Sequence, residues 1–218
     1  MSKLALFFLA GALAGAFLVL AVPALSKEGE DPHAKYGRDV PSTPEAQADM
    51  MKRWQEAMTP GRFHERLGFF VGEWKVVTKM WMGGEGSGEP GTSAGKATYR
   101  WHMEGRWLAQ EYAGDMMGMP FTGFALTGYD NFRKQYVGLW IDSMSTSLAT
   151  MEGGIDRTGK RIEMFGRMDE PMLGQIGKTA KYVTQILDDD RFVFEIHDLD
   201  IIGGNTKVLE LTYERVKK

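Results

Sequence analysis

The chain has 218 residues, a formal net charge of −3 and no cysteine. Without cysteine there is no disulfide, no thiolate metal site, no Cys nucleophile and no lipid attachment at a Cys. The mild acidity gives no reason to expect nucleic acid or an anionic membrane as a partner.

The first segment has the parts of a secretory signal. Lys3 is followed by an apolar run from Leu4 to Val22, then Pro23-Ala24-Leu25-Ser26, then Lys27-Glu28-Gly29-Glu30-Asp31. A positive start, an apolar core and a small-residue exit define such a leader. The run is also long enough to serve as an uncleaved anchor. Its richness in Ala and Gly makes it a mediocre permanent span, which favours cleavage near residue 26. Both readings put the rest of the protein outside the cytoplasm, periplasmic or secreted. After cleavage one Lys is lost, so 25 bases face 29 acids and the formal charge becomes −4. About 190 residues then remain, enough for one domain with a single core.

Residues 27–42 are polar, contain Pro32 and Pro41, and read as a linker. A helical lead-in is expected over 43–67. Thr43 can cap, Pro44 suits the first turn and Glu45 favours the positive end of a helix. Met50, Met51, Trp54 and Met58 follow at helical spacing, and Pro60-Gly61 stops the helix before a second short piece over 62–67. From residue 68 onward the texture is all-β. Segments rich in Val, Ile, Thr, Tyr, Phe and Trp fall near 73–82, 96–103, 106–113, 121–129, 133–142, 147–154, 160–167, 178–187, 191–198 and 206–216. They are separated by turn signals such as Glu104-Gly105, Asp130-Asn131, Thr158-Gly159, Asp188 to Asp190 and Gly203-Gly204-Asn205. About ten strands in hairpin succession predict an antiparallel up-and-down barrel over 68–218, because closure removes the exposed edges. No helix recurs between strands, which argues against a βαβ architecture.

The stretch Leu67 to Trp74 contains Gly72-Glu73-Trp74 and resembles the Gly-x-Trp entry to the first strand of calycins, the lipocalin-like barrels. The longer run through Pro60-Gly61, Gly123 to Tyr129-Asp130 and Gly138-Leu139-Trp140-Ile141-Asp142-Ser143 is similar to a bacterial exported family of unknown function, numbered 1579. The resemblance implies a calycin-like barrel and no established activity. It also implies that a basic residue of the last strand covers the entry tryptophan. Leu209, Leu211, Tyr213 and Arg215 share one face of that strand, so Arg215 is the candidate to stack on Trp74, with Gly72 beside it.

Several catalytic patterns fail on context. Gly91-Thr92-Ser93-Ala94-Gly95 matches a nucleophile elbow, but a strand rather than a helix is expected after it. Gly86 to Gly91 matches a dinucleotide fingerprint by letters alone. The segment from Gly83 to Gly95 reads instead as a flexible loop. The histidines His33, His64, His102 and His197 have no metal-ligand spacing. His102 or His197 would be the candidate for a haem ligand, against the ordinary reading of a hydrogen-bonded strand histidine. Met116, Met117, Met119, Met144 and Met151 suit Cu(I) chemically, yet methionine more often fills cores and lines permissive pockets. No cofactor and no metal is expected.

The candidate site is a ligand-lined barrel interior formed by Arg100, His102, Tyr112, Tyr136 and Trp140. Arg100 would orient an anionic or strongly polar end, His102 or Tyr112 would hold a second polar group, and the aromatics would supply area. Gly138 between Tyr136 and Trp140 leaves room beside them. The alternation of a strand does not by itself say which face points inward. The leading expectation is an exported protein that binds a small apolar or amphipathic molecule. The alternatives are a cell-envelope interaction domain with a filled barrel, and a barrel enzyme using acid–base chemistry.

Overall fold

The computed structural model describes residues 43–217. The leader and linker expected over 1–42 lie outside the described residues. Helix α1 spans Pro44–Met58 and helix α2 spans Arg62–Leu67, followed by a 3-10 turn over Gly68–Phe70. The Thr43 hydroxyl accepts from the Ala46 amide at 3.3 Å, and Pro44 opens the helix. Helix α1 buries no residue. Its C-terminus is held by Asn131, whose side-chain amide donates to the carbonyls of Glu56, Ala57 and Thr59. Met50, Met51, Trp54 and Met58 are therefore solvent-exposed rather than packed on the barrel.

Ten strands follow: β1 Gly72–Met80, β2 Gly91–His102, β3 Trp107–Met116, β4 Met119–Asp130, β5 Gln135–Asp142, β6 Ala149–Ile155, β7 Arg161–Glu170, β8 Gln175–Asp188, β9 Arg191–Asp198 and β10 Lys207–Arg215. They pair antiparallel in sequence order and β10 closes on β1. Each strand thereby has a neighbour on both sides, which is the physical advantage of closure. Two expectations need correction. The glycine-rich segment is not loop up to residue 95, because β2 begins at Gly91 and pairs with β1 from Met80 onward. The turns after β2 and β4 are also four residues long, 103–106 and 131–134, rather than two.

Strand phase follows from β1, where Trp74, Val76 and Thr78 are buried while Glu73, Lys75 and Val77 are exposed. Carrying that face across the registers puts Ala97, Tyr99 and Trp101 of β2 inside, with Gln110 and Tyr112 of β3. Phe121, Gly123 and Tyr129 of β4, and Tyr136, Gly138 and Trp140 of β5, continue the inner wall. One end of the barrel is closed by α2 and the 3-10 turn. There Leu67, Phe70, Trp74, Phe192 and Tyr213 form one buried cluster. The Phe192 and Tyr213 rings stack at 4.2 Å.

Candidate functional site

The closed end is fastened around Trp74, which is completely buried. Its indole nitrogen donates to the Phe70 carbonyl at 2.7 Å. The Arg215 guanidinium lies over the indole, 4.1 Å from the ring centroid. The same guanidinium donates to the carbonyls of Val71 at 2.9 Å and Phe69 at 2.7 Å. These are carbonyls left over where the 3-10 turn ends, and a planar cation with separate donors can satisfy both while covering a π face. Gly72 has φ of +127° and a Cβ there would lie 3.2 Å from the Arg215 guanidinium, so the chain enters β1 only through glycine.

Above this plug the interior carries a phenol network. Gln110 donates to the Tyr213 hydroxyl at 3.1 Å, and the hydroxyls of Thr78 and Tyr112 are 3.4 Å apart. Burial pushes the phenols of Tyr99 and Tyr213 well up. Burial likewise pushes Tyr136 up to about 12. These groups stay protonated at neutral pH, so they donate hydrogen bonds and do not serve as general bases.

The other end is the mouth. Two large rings lie flat against the wall over glycines. A Cβ on Gly95 would fall 2.4 Å from the Tyr112 hydroxyl, and one on Gly123 would fall 2.2 Å from the Trp140 ring. The segment 91–95 is thus part of a strand whose Gly95 admits Tyr112, and Ser93 within it opens no helix, so it is no nucleophile elbow. Trp140 donates to Asp142 at 2.9 Å. Trp140, Met151, Phe194, Ile196 and Leu209 face the lumen and are only half-buried. On the β8–β9 wall, Lys178 and Asp198 form a buried ion pair at 2.5 Å, with side chains 9% and 7% exposed. Asp198 also accepts from the Asp200 amide at 3.0 Å.

The expected site residues divide. Tyr112, Tyr136 and Trp140 lie on the inner face. Tyr136 is fully buried at the closed end, where its hydroxyl donates to the Phe63 carbonyl at 2.9 Å. Arg100 and His102 do not line the interior. Both are exposed on the outer face of β2, and Arg100 makes a surface ion pair with Glu111 at 3.5 Å. The reason is parity. Any turn with an even number of residues, two or four, gives strand partners opposite parity, so even-numbered Arg100 pairs with odd-numbered Ala109 and lies on the face opposite Tyr112. Tyr112 shares its face with Ala97 and Tyr99 instead. Tyr99 and Trp101 are the inward residues of β2, and the buried Trp74 at the head of β1 is the signal that could have found them. Lys178 and Asp198 carry no such signal, because each is an ordinary surface-type residue until β8 and β9 pair.

His197 is also on the outer face, bonded to Thr206 at 3.0 Å and Glu195 at 3.2 Å. His64 is the buried histidine. Its Nδ1 accepts from the Gly61 amide at 3.1 Å, and its pKa is lowered, first by burial. Among the described residues no group of three His, Cys, Asp or Glu could hold a metal ion.

Two concavities lie outside the lumen. One, of about 460 Å³, is lined by the Asp188 to Arg191 turn with Glu214, Arg215 and Lys217. The other, of about 340 Å³, lies beside α2 and is lined by Pro60, His64, Glu65, Gly68, Trp101 and Gly105. In the first, charges already pair with one another, as Arg191 does with Asp188 and Lys217 with Asp190. In the second, His64 is engaged by the backbone at Gly61. Among the described residues no buried polar side-chain atom lacks a hydrogen-bond partner.

Comparison with known proteins agrees with the architecture. The crystal structure of Rv2717c from M. tuberculosis is similar at a TM-score of 0.53 and 12% identity, over 73% of this chain and 100% of that one. A redesigned β-barrel is similar at a TM-score of 0.38 and 14% identity, over 70% of this chain and 96% of that one. The first likeness shows the fold alone. No curated protein is significantly similar. The profile of a protein family of unknown function, DUF1579, matches residues 59–215, and the chain belongs to that family.

Proposed function

We propose that the protein binds one small amphipathic molecule in the mouth half of the barrel, and that it does so outside the cytoplasm. The observation that carries the reading is the division of the interior. The closed end is sealed by buried aromatics, whereas Trp140, Met151, Phe194 and Ile196 face the lumen half-buried at the mouth. Thioether and aromatic side chains suit a permissive apolar lining. The buried Lys178–Asp198 pair lies on the β8–β9 wall of the same half, with Phe194 and Ile196. Support for export comes from residues 3–26. Protonated phenols and the lack of a legible nucleophile–base pair make an acid–base enzyme the weaker reading.

Native mass spectrometry of protein purified from its own host tests this. The expected result is a retained small molecule that is lost on denaturation. It should also be lost in Gly138→Phe, because a Cβ at Gly138 already lies 3.3 Å from Met151 and a phenyl ring there would project among the lumen-facing Trp140 and Met151. A native mass equal to the denatured mass, together with no uptake of the apolar fluorophore N-phenylnaphthylamine, overturns the reading.

A further inference from the structure

The two ends of the barrel differ in kind. In an up-and-down barrel, alternate hairpin loops emerge at opposite ends, and here the β1–β2, β3–β4, β5–β6, β7–β8 and β9–β10 loops surround the mouth. Three of them, over 117–118, 143–148 and 171–174, contain no ionisable residue; the β9–β10 loop, 199–206, contains Asp200 alone, and the β1–β2 loop, 81–90, contains Glu85 and Glu89. The loops of the closed end, 103–106, 131–134, 156–160 and 188–191, all contain charges. The tips at the mouth are also apolar. Met117, Leu148, Met172, Leu173, Ile176 and Ile202 are all exposed, Ile176 at 89% and Ile202 at 96%. In a chain with 25% charged residues, four apolar tips around one opening, three of them without any charge, form a patch that monomeric proteins avoid without a use.

We infer that the mouth docks on the surface of an uncharged, zwitterionic lipid bilayer, with the hairpin tips inserted to the headgroup boundary. Separate short tips around an opening suit a planar fluid surface, which needs no matching groove. Between the apolar residues stand Ser145, Thr146, Ser147, Gln175 and Asn205, neutral hydrogen-bonding groups suited to the headgroup layer. Flanking the tips at the strand ends stand Asp115, Asp142, Asp169 and Glu170, with Asp200 in the β9–β10 loop and the cation Arg167, bonded to the Gly177 carbonyl at 3.0 Å. Asp115 and Asp169 accept loop amides, from Gly118 at 2.8 Å and Gly177 at 2.9 Å, so these carboxylates are fixed in place. This acidic collar disfavours a second copy, because two mouths face to face would oppose two collars. It also disfavours anionic lipid. The inference does not rest on the ligand reading, since the tips are exposed whatever the lumen holds.

The apolar run 4–22 of the full chain is a separate route to a membrane, so the readout must be local to the tips. The chain lacks cysteine, and a single labelled position is therefore clean. Ile202→Cys and, at the closed end, Phe132→Cys each carry an environment-sensitive fluorophore on the full chain. With phosphatidylcholine vesicles, the label at 202 should shift to the blue and be quenched by a lipid-borne quencher, and the label at 132 should not. Adding Met172→Asp and Leu173→Asp to the Ile202→Cys chain should weaken the partitioning of the tip at least about tenfold, because each apolar side chain returned to water is worth roughly that factor. Phosphatidylserine in the vesicles should weaken it further. An unshifted label at 202, equal shifts at both ends, or a shift that depends on protein concentration without vesicles overturns the inference. The last result would mean self-association. N-phenylnaphthylamine uptake measured without vesicles separates failure here from failure of the ligand reading.

Discussion

Replacing Trp74 tests the physics of the closed end most directly. Trp74→Ala removes a fully buried indole from contact with Phe192, whose ring centroid is 4.8 Å away, and with the Arg215 cation. Truncating a buried Trp costs about 3–5 kcal/mol, and the upper part of that range applies where the cavity cannot collapse. Here the walls are strands locked in a closed ladder and the Phe192–Tyr213 stack. The Phe70 carbonyl also loses its donor. For a domain of this size each kcal/mol shifts the melting midpoint by about 2–4 °C, so a fall of roughly 6–20 °C is expected. Trp74→Phe keeps most of the packing but not the N–H, and should cost about 1–3 kcal/mol. A cycle of Trp74→Leu and Arg215→Leu should return a coupling of about 0.5–2 kcal/mol from the stacked cation. Thermal melts and urea titrations measure all of these. A midpoint change below about 3 °C for Trp74→Ala would mean that the indole carries little of the fold, and the account of the plug would be wrong.

Asp198→Asn strands the Lys178 ammonium in a buried site and should cost about 3–5 kcal/mol in urea titrations, whereas Lys178→Met with Asp198→Leu should cost less than that single change. A double variant less stable than the single would show that the pair itself, not the stranded charge, sets the energy. The pKa of His64 is lowered in the folded chain, so the unfolded chain takes up the proton more readily. Stability should therefore fall as pH drops below the ordinary histidine value of about 6.5 and level off once pH passes the lowered folded value. His64→Gln should flatten that part of the pH profile, and an unchanged slope would locate the proton elsewhere. Gly123→Ala places a Cβ 2.2 Å from the Trp140 ring and should cost about 1–3 kcal/mol. It should also change the near-ultraviolet dichroism of the folded protein, and an unaltered spectrum would mean that the ring is free to move aside.

Much of the barrel is legible in the amino-acid sequence. Period-2 alternation and turn chemistry locate ten strands in hairpin order, and an antiparallel chain of that kind has to close or expose edges. Thr43-Pro44-Glu45 marks the start of α1, and Pro60-Gly61 its stop, because capping and the missing proline amide act within a few residues. Gly72, Trp74 and Arg215 are placed together by the resemblance to calycin barrels, and the β1–β10 register, Trp74 opposite Arg215, bears that out. The inner wall is half legible. Tyr112, Tyr136 and Trp140 have the parity that the even-length turns after β3 and β4 carry across, whereas Arg100 and His102 fall to the outer face because the equally even turn after β2 pairs even positions of β2 with odd positions of β3.

Local sequence determined the elements, since capping, turn propensity and alternation are set by neighbours along the chain. Tertiary structure decided everything that joins residues far apart. Lys178 and Asp198 become a buried pair only when β8 and β9 lie side by side. The apolar tips of Met117, Leu148, Met172 and Ile202 are scattered in the sequence and become a ring only because an up-and-down barrel sends alternate loops to the same end. One strand pattern serves equally well with either face inward. The choice falls to whichever set of side chains can fill the common interior, and that quantity belongs to all ten strands together.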